Sequence, residues 1–397
     1  MGFFSAKNRN ILIISLIVMV NMLGYGIIIP ILYSYSKKYG LSDFQNGLLF
    51  AIFSICQFIS TPIIGRLSDK YGRRPMLIFS ITGTAISFFM MAFAPGAIFL
   101  FISRALDGLT AGNIPVAFAV ISDSTAPEDR ANAFGKIGAA FNFGFVFGPI
   151  VAALTLGMGA SMPFIIAGLI TTIAVTLTAL FLPETNKHMG EDQKGKLFDF
   201  PMLAKTLFAP GVGATFMISL VFFLAFSCAI IYGFQPYVIR VLGLSTFQNT
   251  ILFAIFGTTG LICQTFIVQR YSKWLGMRKA FMSAVLLTSL SFFIIPFAHS
   301  IEIFALAIII LALFNSVVQT LIPAILSQEA DAKSQGSMMG LNSSYQSVGM
   351  IFGPILGGFL ATFLIPLPFF VGGLLVVLCF FLSFNVLKPK QHPQSAF

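Results

Sequence analysis

The chain has 397 residues, of which 57% are hydrophobic and only 9% charged. A soluble domain carries about 25% charged residues, so this sequence cannot cover a surface facing water, and its recurring apolar runs of about 20 residues suit a bilayer core instead. The net charge of +10 belongs to loops of a membrane protein rather than to a nucleic-acid footprint, and a transmembrane barrel is excluded because its strands alternate apolar and polar residues.

The predicted class is all-α: a polytopic membrane protein with twelve transmembrane helices in two pseudo-symmetric six-helix bundles. The N-terminal MGFFSAKNRN leads into an apolar stretch that is longer than a signal-peptide core and lacks a cleavage site, so it forms a retained first span. Apolar runs fall near residues 11–35, 46–65, 76–94, 97–121, 132–156 and 161–182, then near 211–239, 247–268, 280–298, 301–326, 337–363 and 367–387. The longest polar interval separates the two sets of six. The expected organisation is an N-terminal bundle over 1–182, a cytoplasmic linker over 183–210 and a C-terminal bundle over 211–397. Within the linker, LFDFPMLAKTLF has the pattern of a segment lying flat on the membrane face. With the N-terminus inside, only Lys37, Lys38 and Arg240 of the 23 Lys and Arg lie outside, and Arg104 falls within a span. That bias places both termini in the cytoplasm.

Residues 40–53, GLSDFQNGLLFAIF, return as residues 243–256, GLSTFQNTILFAIF. Ser42-x-x-Gln45 and Ser245-x-x-Gln248 each fit a capping box, which starts a helix by satisfying its orphan amides. Both glutamines are therefore expected to be caps rather than ligands. A second echo, Gly144-Phe-Val-Phe-Gly148-Pro149 in span five and Gly349-Met-Ile-Phe-Gly353-Pro354 in span eleven, keeps the register. Corresponding spans are six apart, so the halves share orientation and are related by an axis along the membrane normal, with the substrate path at their interface.

Four motifs carry chemistry. Between spans two and three, GRLSDKYGRRP sets Gly65, Asp69, Gly72, Arg73 and Arg74 at a tight turn. Positive-inside bias explains the basic residues there, but neither Asp69 nor the two glycines. The second-half counterpart, QRYSKWLGMRK, carries Lys273 and Met277 at the Asp69 and Arg73 positions, so the charge pair is absent from it. Span four holds RALDGLTAG, in which Arg104 and Asp107 share a helix face. Asp107 lies about 15 Å from the outer end at 1.5 Å per residue, near the midplane. A charge at that depth is functional by default, the alternative being a static pair that joins helices. In span five, Gly144 and Gly148 allow close helix approach and Pro149 bends the helix. Span one ends LGYGIIIPILYSY, and span four ends ISDSTAPEDRANAFG.

These motifs resemble those of the major facilitator superfamily, and within it of the twelve-span drug:proton antiporters similar to tetracycline and multidrug exporters. The 65–75 stretch resembles the cytoplasmic loop signature G-x-x-x-D-x-x-G-R-[KR]. Residues 104–112 resemble the span-four signature R-x-x-x-G-x-x-x-G, which implies proton coupling through Arg104 and, beside it, Asp107. Gly144, Gly148 and Pro149 resemble the antiporter signature, with Ala152-Ala153 where that signature has a glycine pair. The resemblance also implies that Asp123 pairs with Arg73 to form a cytoplasmic gate with Asp69, expected to assemble when the cavity opens outward.

Polar side chains inside spans mark a polar, uncharged cavity: Asn21 and Tyr25 in span one, Gln57, Asn142, Tyr232 and Gln235, Gln264, Asn315 and Gln319, and Asn342, Tyr345 and Gln346. Each serves either as an interhelical hydrogen bond or as a substrate contact. The four cysteines lie in apolar runs without metal-ligand spacing, and no nucleotide-binding motif is present, which excludes a self-contained ATP-driven pump. No enzyme activity, cofactor or metal is expected. The expected function is proton-coupled efflux of a small amphipathic drug or metabolite by alternating access, by a monomer in the bacterial inner membrane. Its partners are that substrate, protons and the lipid bilayer, with no nucleic acid. Proton-coupled uptake or facilitated diffusion is one alternative, and a non-transporting receptor or scaffold is another.

Overall fold

The computed structural model describes residues 6–126, 129–186, 190, 200–329 and 335–387. Among the described residues there is no strand, and eleven helices are long and apolar enough to cross a membrane: Arg9–Lys37, Asp43–Tyr71, Arg73–Ala92, Ala97–Ser124, Asn132–Leu156, Met162–Phe181, Gly213–Val241, Thr246–Leu275, Met277–Phe297, Ile301–Glu329 and Met338–Phe363. A twelfth, Leu367–Ser383, is shorter. It stops short of the predicted limit at 387, and residues 384–387 follow it in turns, with Leu387 at φ +48°. These helices are spans one to twelve.

Both expected capping boxes form. The Ser42 hydroxyl accepts the Gln45 amide at 3.2 Å and the Gln45 side chain accepts the Ser42 amide at 2.8 Å. Ser245 and Gln248 repeat this at 3.2 and 2.9 Å. Gly40 and Gly243, at φ +78° and +67°, supply the left-handed turn ahead of each box.

Four spans are not uniform α-helices; one of them, span nine, ends in a 3₁₀ turn over Ile295–Phe297. Span four stops at Thr110 and restarts at Asn113. Pro115 explains the break, since it has no amide for the carbonyl of Ala111 and its ring crowds that turn. Span seven turns π-helical over Ser227–Gly233 and Tyr237–Val241, on either side of Pro236. Span eight does so over Cys263–Ile267.

Packing groups the chain into two units. The first comprises Met1–Leu197, Ile230–Thr258 and Pro354–Leu367; the second comprises Phe198–Ala229, Thr259–Gly353 and Pro368–Phe397. In the first unit, spans one and five touch backbone to backbone. A Cβ on Gly148 would lie 2.7 Å from Gly26 Cα and from Leu23 O, and one on Gly144 would collide with Met19 O. In the second unit, spans eleven and seven repeat the arrangement. A Cβ on Gly349 would lie 2.7 Å from the Leu224 amide, and Ser227 Oγ donates to Gly349 O at 2.8 Å. Bulky apolar side chains such as Phe93, Ile98, Leu154 and Leu180 remain exposed. Exposure of that kind suits hydrocarbon, not water.

The linker segment expected to lie on the membrane falls partly outside the described residues. Its described part contains the short helix Phe200–Thr206 in the second unit.

Candidate functional site

The first unit holds an ion pair within a span. Arg104 Nη1 lies 3.0 Å from Asp107 Oδ2, with the two side chains 2% and 9% exposed. The guanidinium carbon sits 4.2 Å from the centre of the Phe53 ring, a cation–π contact. Tyr25 completes an aromatic wall, 6.0 Å from Phe53 and 6.5 Å from Phe145 between ring centres. Arg104 Nε is buried without a hydrogen-bond partner. One turn beyond the pair, the break in span four is held by its neighbours. Ser60 Oγ of span two donates to Gly108 O at 2.8 Å, and Ser80 Oγ of span three donates to Thr110 O. Asn113, just past the break, is buried with neither amide atom bonded. A charged pair thus lies beside interrupted backbone and unsatisfied polar atoms.

At the end of the helices that carries the loop signature, Arg73 Nη1 meets Asp69 Oδ1 at 2.5 Å and Arg73 Nε meets Asp123 Oδ2 at 3.1 Å. Arg73 Nη1 also donates to Ser68 Oγ at 2.7 Å. Sequence reasoning missed Glu184, just past span six. Its carboxylate accepts the amides of Arg73 at 2.9 Å and Arg74 at 3.1 Å, which caps the positive N-terminus of span three. Asn186 Nδ2 donates to Asp69 O at 2.7 Å. Gly72, at φ +104°, leaves room for the Glu184 carboxylate that a Cβ would strike. Nothing within van der Waals reach explains Gly65. The signal in the sequence was the acid in the Pro-Glu-Thr that follows span six.

The opposite end, where both repeats begin, holds a second cluster in the first unit that sequence reasoning also missed. Asp43 takes Lys37 Nζ at 2.8 Å, Arg240 Nη1 at 2.7 Å and the Tyr33 hydroxyl at 2.7 Å. Span seven adds two more ties: the Tyr232 hydroxyl donates to Asp43 O at 2.7 Å, and Gln235 Oε1 accepts the Tyr33 amide at 3.1 Å. The contacts of Asp69, Arg73 and Asp123 and the packed repeat end are present together in this structure.

The polar residues read as cavity lining fall into separate places. Tyr25 stands in the wall beside Arg104, whereas Tyr232 and Gln235 belong to the Asp43 cluster. Tyr345 donates to Leu203 O and meets Thr206 Oγ1, both at 2.6 Å, so its hydroxyl holds the linker helix. Asn315 and Asn342 are buried with an unbonded Oδ1 each. Asn21, Gln57, Asn142, Gln319 and Gln346 are half-buried and Gln264 is exposed. Gly144, Gly148 and Pro149 lie against span one, with Pro149 Cδ 3.1 Å from the place a Gly26 Cβ would occupy.

Among the described residues, twelve apolar helices, an ion pair buried inside one of them and charged clusters at both helix ends describe a multi-pass membrane protein. The family model described as Major Facilitator Superfamily matches residues 14–288 and 266–397, and the chain belongs to that superfamily. It is 30% identical over 359 residues to the tetracycline resistance protein, class G, of Vibrio anguillarum, across 88% of each chain. It is 29% identical over 368 residues to multidrug resistance protein 1 of Bacillus subtilis (strain 168), across 92% of each. Among solved structures, a bacterial homologue of the human lysosomal transporter Spinster matches with a TM-score of 0.80 at 16% identity, covering 99% of this chain and 100% of that one, a likeness of fold. Within the superfamily the chain is of the drug:proton antiporter type.

Proposed function

We propose that this chain expels a small amphipathic drug or metabolite from the bacterial cytoplasm in exchange for protons, working as a monomer with both termini inside. The loop-signature end is then cytoplasmic and the repeat end faces outward. The moving parts are residues 1–182 and 211–397, joined by the linker at 183–210, and Asn21, Tyr25, Gln57, Asn142, Asn315, Gln319, Asn342 and Gln346 form the substrate path. Asp69, Arg73, Arg74 and Asp123, with Gly72 at the turn, serve as the cytoplasmic gate. Gly144, Gly148 and Pro149 keep span five close against span one.

The observation that carries the reading is the Arg104–Asp107 pair at 3.0 Å, buried in span four under Phe53. A carboxylate at this depth stays charged only while its partner stays near. With the repeat end closed the pair is made, and Asp107 carries no proton. When the cavity opens outward and the pair parts, Asp107 takes a proton from outside as substrate leaves. Return to the inward state re-forms the pair and delivers the proton to the cytoplasm. The names of the relatives, tetracycline and multidrug resistance proteins, support an amphipathic, partly aromatic substrate, which the wall of Tyr25, Phe53 and Phe145 suits.

The test is accumulation of a labelled panel, beginning with tetracyclines and lipophilic aromatic drugs, in inside-out vesicles with and without an acid lumen. Asp107→Asn is expected to abolish gradient-driven accumulation while substrate still binds, and Arg104→Ala to impair both. Transport by Asp107→Asn with an unchanged dependence on the gradient would overturn the proton role of the pair.

A further inference from the structure

The repeat end carries a charge arrangement that neither the loop signature nor the span-four pair accounts for. Lys37 and Arg240 occupy equivalent positions in the two halves, 203 residues apart, each at the close of the first span of its half. Asp43 opens span two, and the matching position in span eight is Thr246. One acid therefore serves two symmetric bases, Lys37 from its own half and Arg240 from the other, at 2.8 and 2.7 Å. The Asp43 side chain is 10% exposed, so its charge is largely withdrawn from water and needs those partners.

Span seven is shaped for this contact. In a plain α-helix Arg240 would point roughly 80° away from Tyr232. The π-helical turn Tyr237–Val241 is wider than an α turn, which brings Arg240 back toward the face shared with Tyr232. That face then makes three ties to the outer ends of spans one and two: Tyr232 to Asp43 O, Gln235 to the Tyr33 amide and Arg240 to the Asp43 carboxylate. Beneath the clamp the Phe50 ring stands edge-on to Tyr232, 6.3 Å between centres. At Gly47, a Cβ would run into Pro354 O, so span eleven closes the same end by direct backbone contact.

We propose that Asp43 and Arg240 form the outer gate of the transport cycle, a charge clamp that holds the inward-open state and must break for outward opening. Lys37 keeps the Asp43 carboxylate satisfied from within its own half when Arg240 departs, so the acid is never left bare. The inference rests on the alternating-access reading with the repeat end outside.

The two bases give a test that separates gating from ordinary stabilisation. Both hold the same carboxylate at nearly the same distance, but only Arg240 joins the two halves. Spin labels would be placed at Phe44→Cys and Phe247→Cys, exposed and equivalent positions in spans two and eight, in the full chain lacking its four native cysteines and reconstituted in nanodiscs. Arg240→Gln is expected to raise the long-distance, open population about tenfold, Arg240→Lys to restore the short distance, and Lys37→Gln to leave the distribution within about twofold of the parent. Asp43→Asn should match Arg240→Gln. The clamp is overturned if Arg240→Gln leaves the distances unchanged, or if Lys37→Gln shifts them equally. Because the readout is a distance at rest, a failure of the antiport reading would appear in the vesicle assay and leave this result standing.

Discussion

Residues 40–53 and 243–256 share eleven of fourteen residues yet have different duties. Both start a span with the same left-handed glycine and the same capping box. Phe50 and Phe253 both pack on span seven, against Tyr232 and Phe234. The shared residues thus build the helix start and its packing. Where the stretches differ, the contacts differ too. Asp43 clamps Arg240, whereas the Thr246 carbonyl accepts the Thr250 hydroxyl at 2.8 Å. Gly47 admits Pro354 and Gly358 of span eleven, and Thr250 stands in its place in span eight. Even an identical residue diverges. Asn46 bonds Ser36 of its own half, while Asn249 donates to Pro30 O of span one at 2.6 Å. Duplication supplied the scaffold, and the few unshared positions direct each copy to its task.

The largest effect that would test this contrast is steric. Gly47→Leu drives a side chain into the Pro354 carbonyl at a cost of about 1–3 kcal/mol or more. Transport in the vesicle assay should fall to background with the protein still in the membrane, whereas Thr250→Ala should transport normally. Equal losses from both would mean that the two copies pack alike after all.

Next comes the latch, present in one half only. Asp69→Asn removes the 2.5 Å contact with Arg73. It should lower the transport rate about tenfold without changing expression. Lys273→Ala at the matching position should stay within about 0.5 kcal/mol in stability and twofold in rate. A wild-type rate for Asp69→Asn would remove the gating role of the loop.

The shared features should respond equally. Ser42→Ala and Ser245→Ala each remove one capping bond and should each lower stability by about 1 kcal/mol, seen as matching shifts of thermal unfolding in detergent. Unequal shifts would show that the two boxes carry different loads. The smallest effect belongs to Thr246→Asp, which gives the second copy the acid of the first. Placed near a helix N-terminus it should add roughly 0.3–1 kcal/mol of stability and leave transport unchanged. A changed transport rate would show that the acid acts by its place in the repeat rather than through its partners.

Twelve spans, two halves in register, the caps and the Arg104–Asp107 pair were legible because each is written within one helix or one turn. Apolar length, an S-x-x-Q box and an i, i+3 spacing are local quantities. The breaks were also written locally, in Pro115 and Pro236, but their consequence was not. That a π turn at Tyr237–Val241 swings Arg240 toward Asp43 depends on a helix nearly two hundred residues away. Glu184 likewise lay in view as one more charged residue after a span, and only its approach to the Arg73 and Arg74 amides makes it a cap.

The sequence by itself determined the membrane class, the duplication and the identity of the charged residues within spans, since burying charge or exposing apolar surface carries a free-energy cost wherever the chain goes. Tertiary structure alone decided which partners those charges take. Tyr345 turned to the linker helix, Tyr232 and Gln235 joined the clamp, and Asp43 chose both bases, because an ion pair needs atoms within about 4 Å and sequence spacing sets that distance only inside one helix.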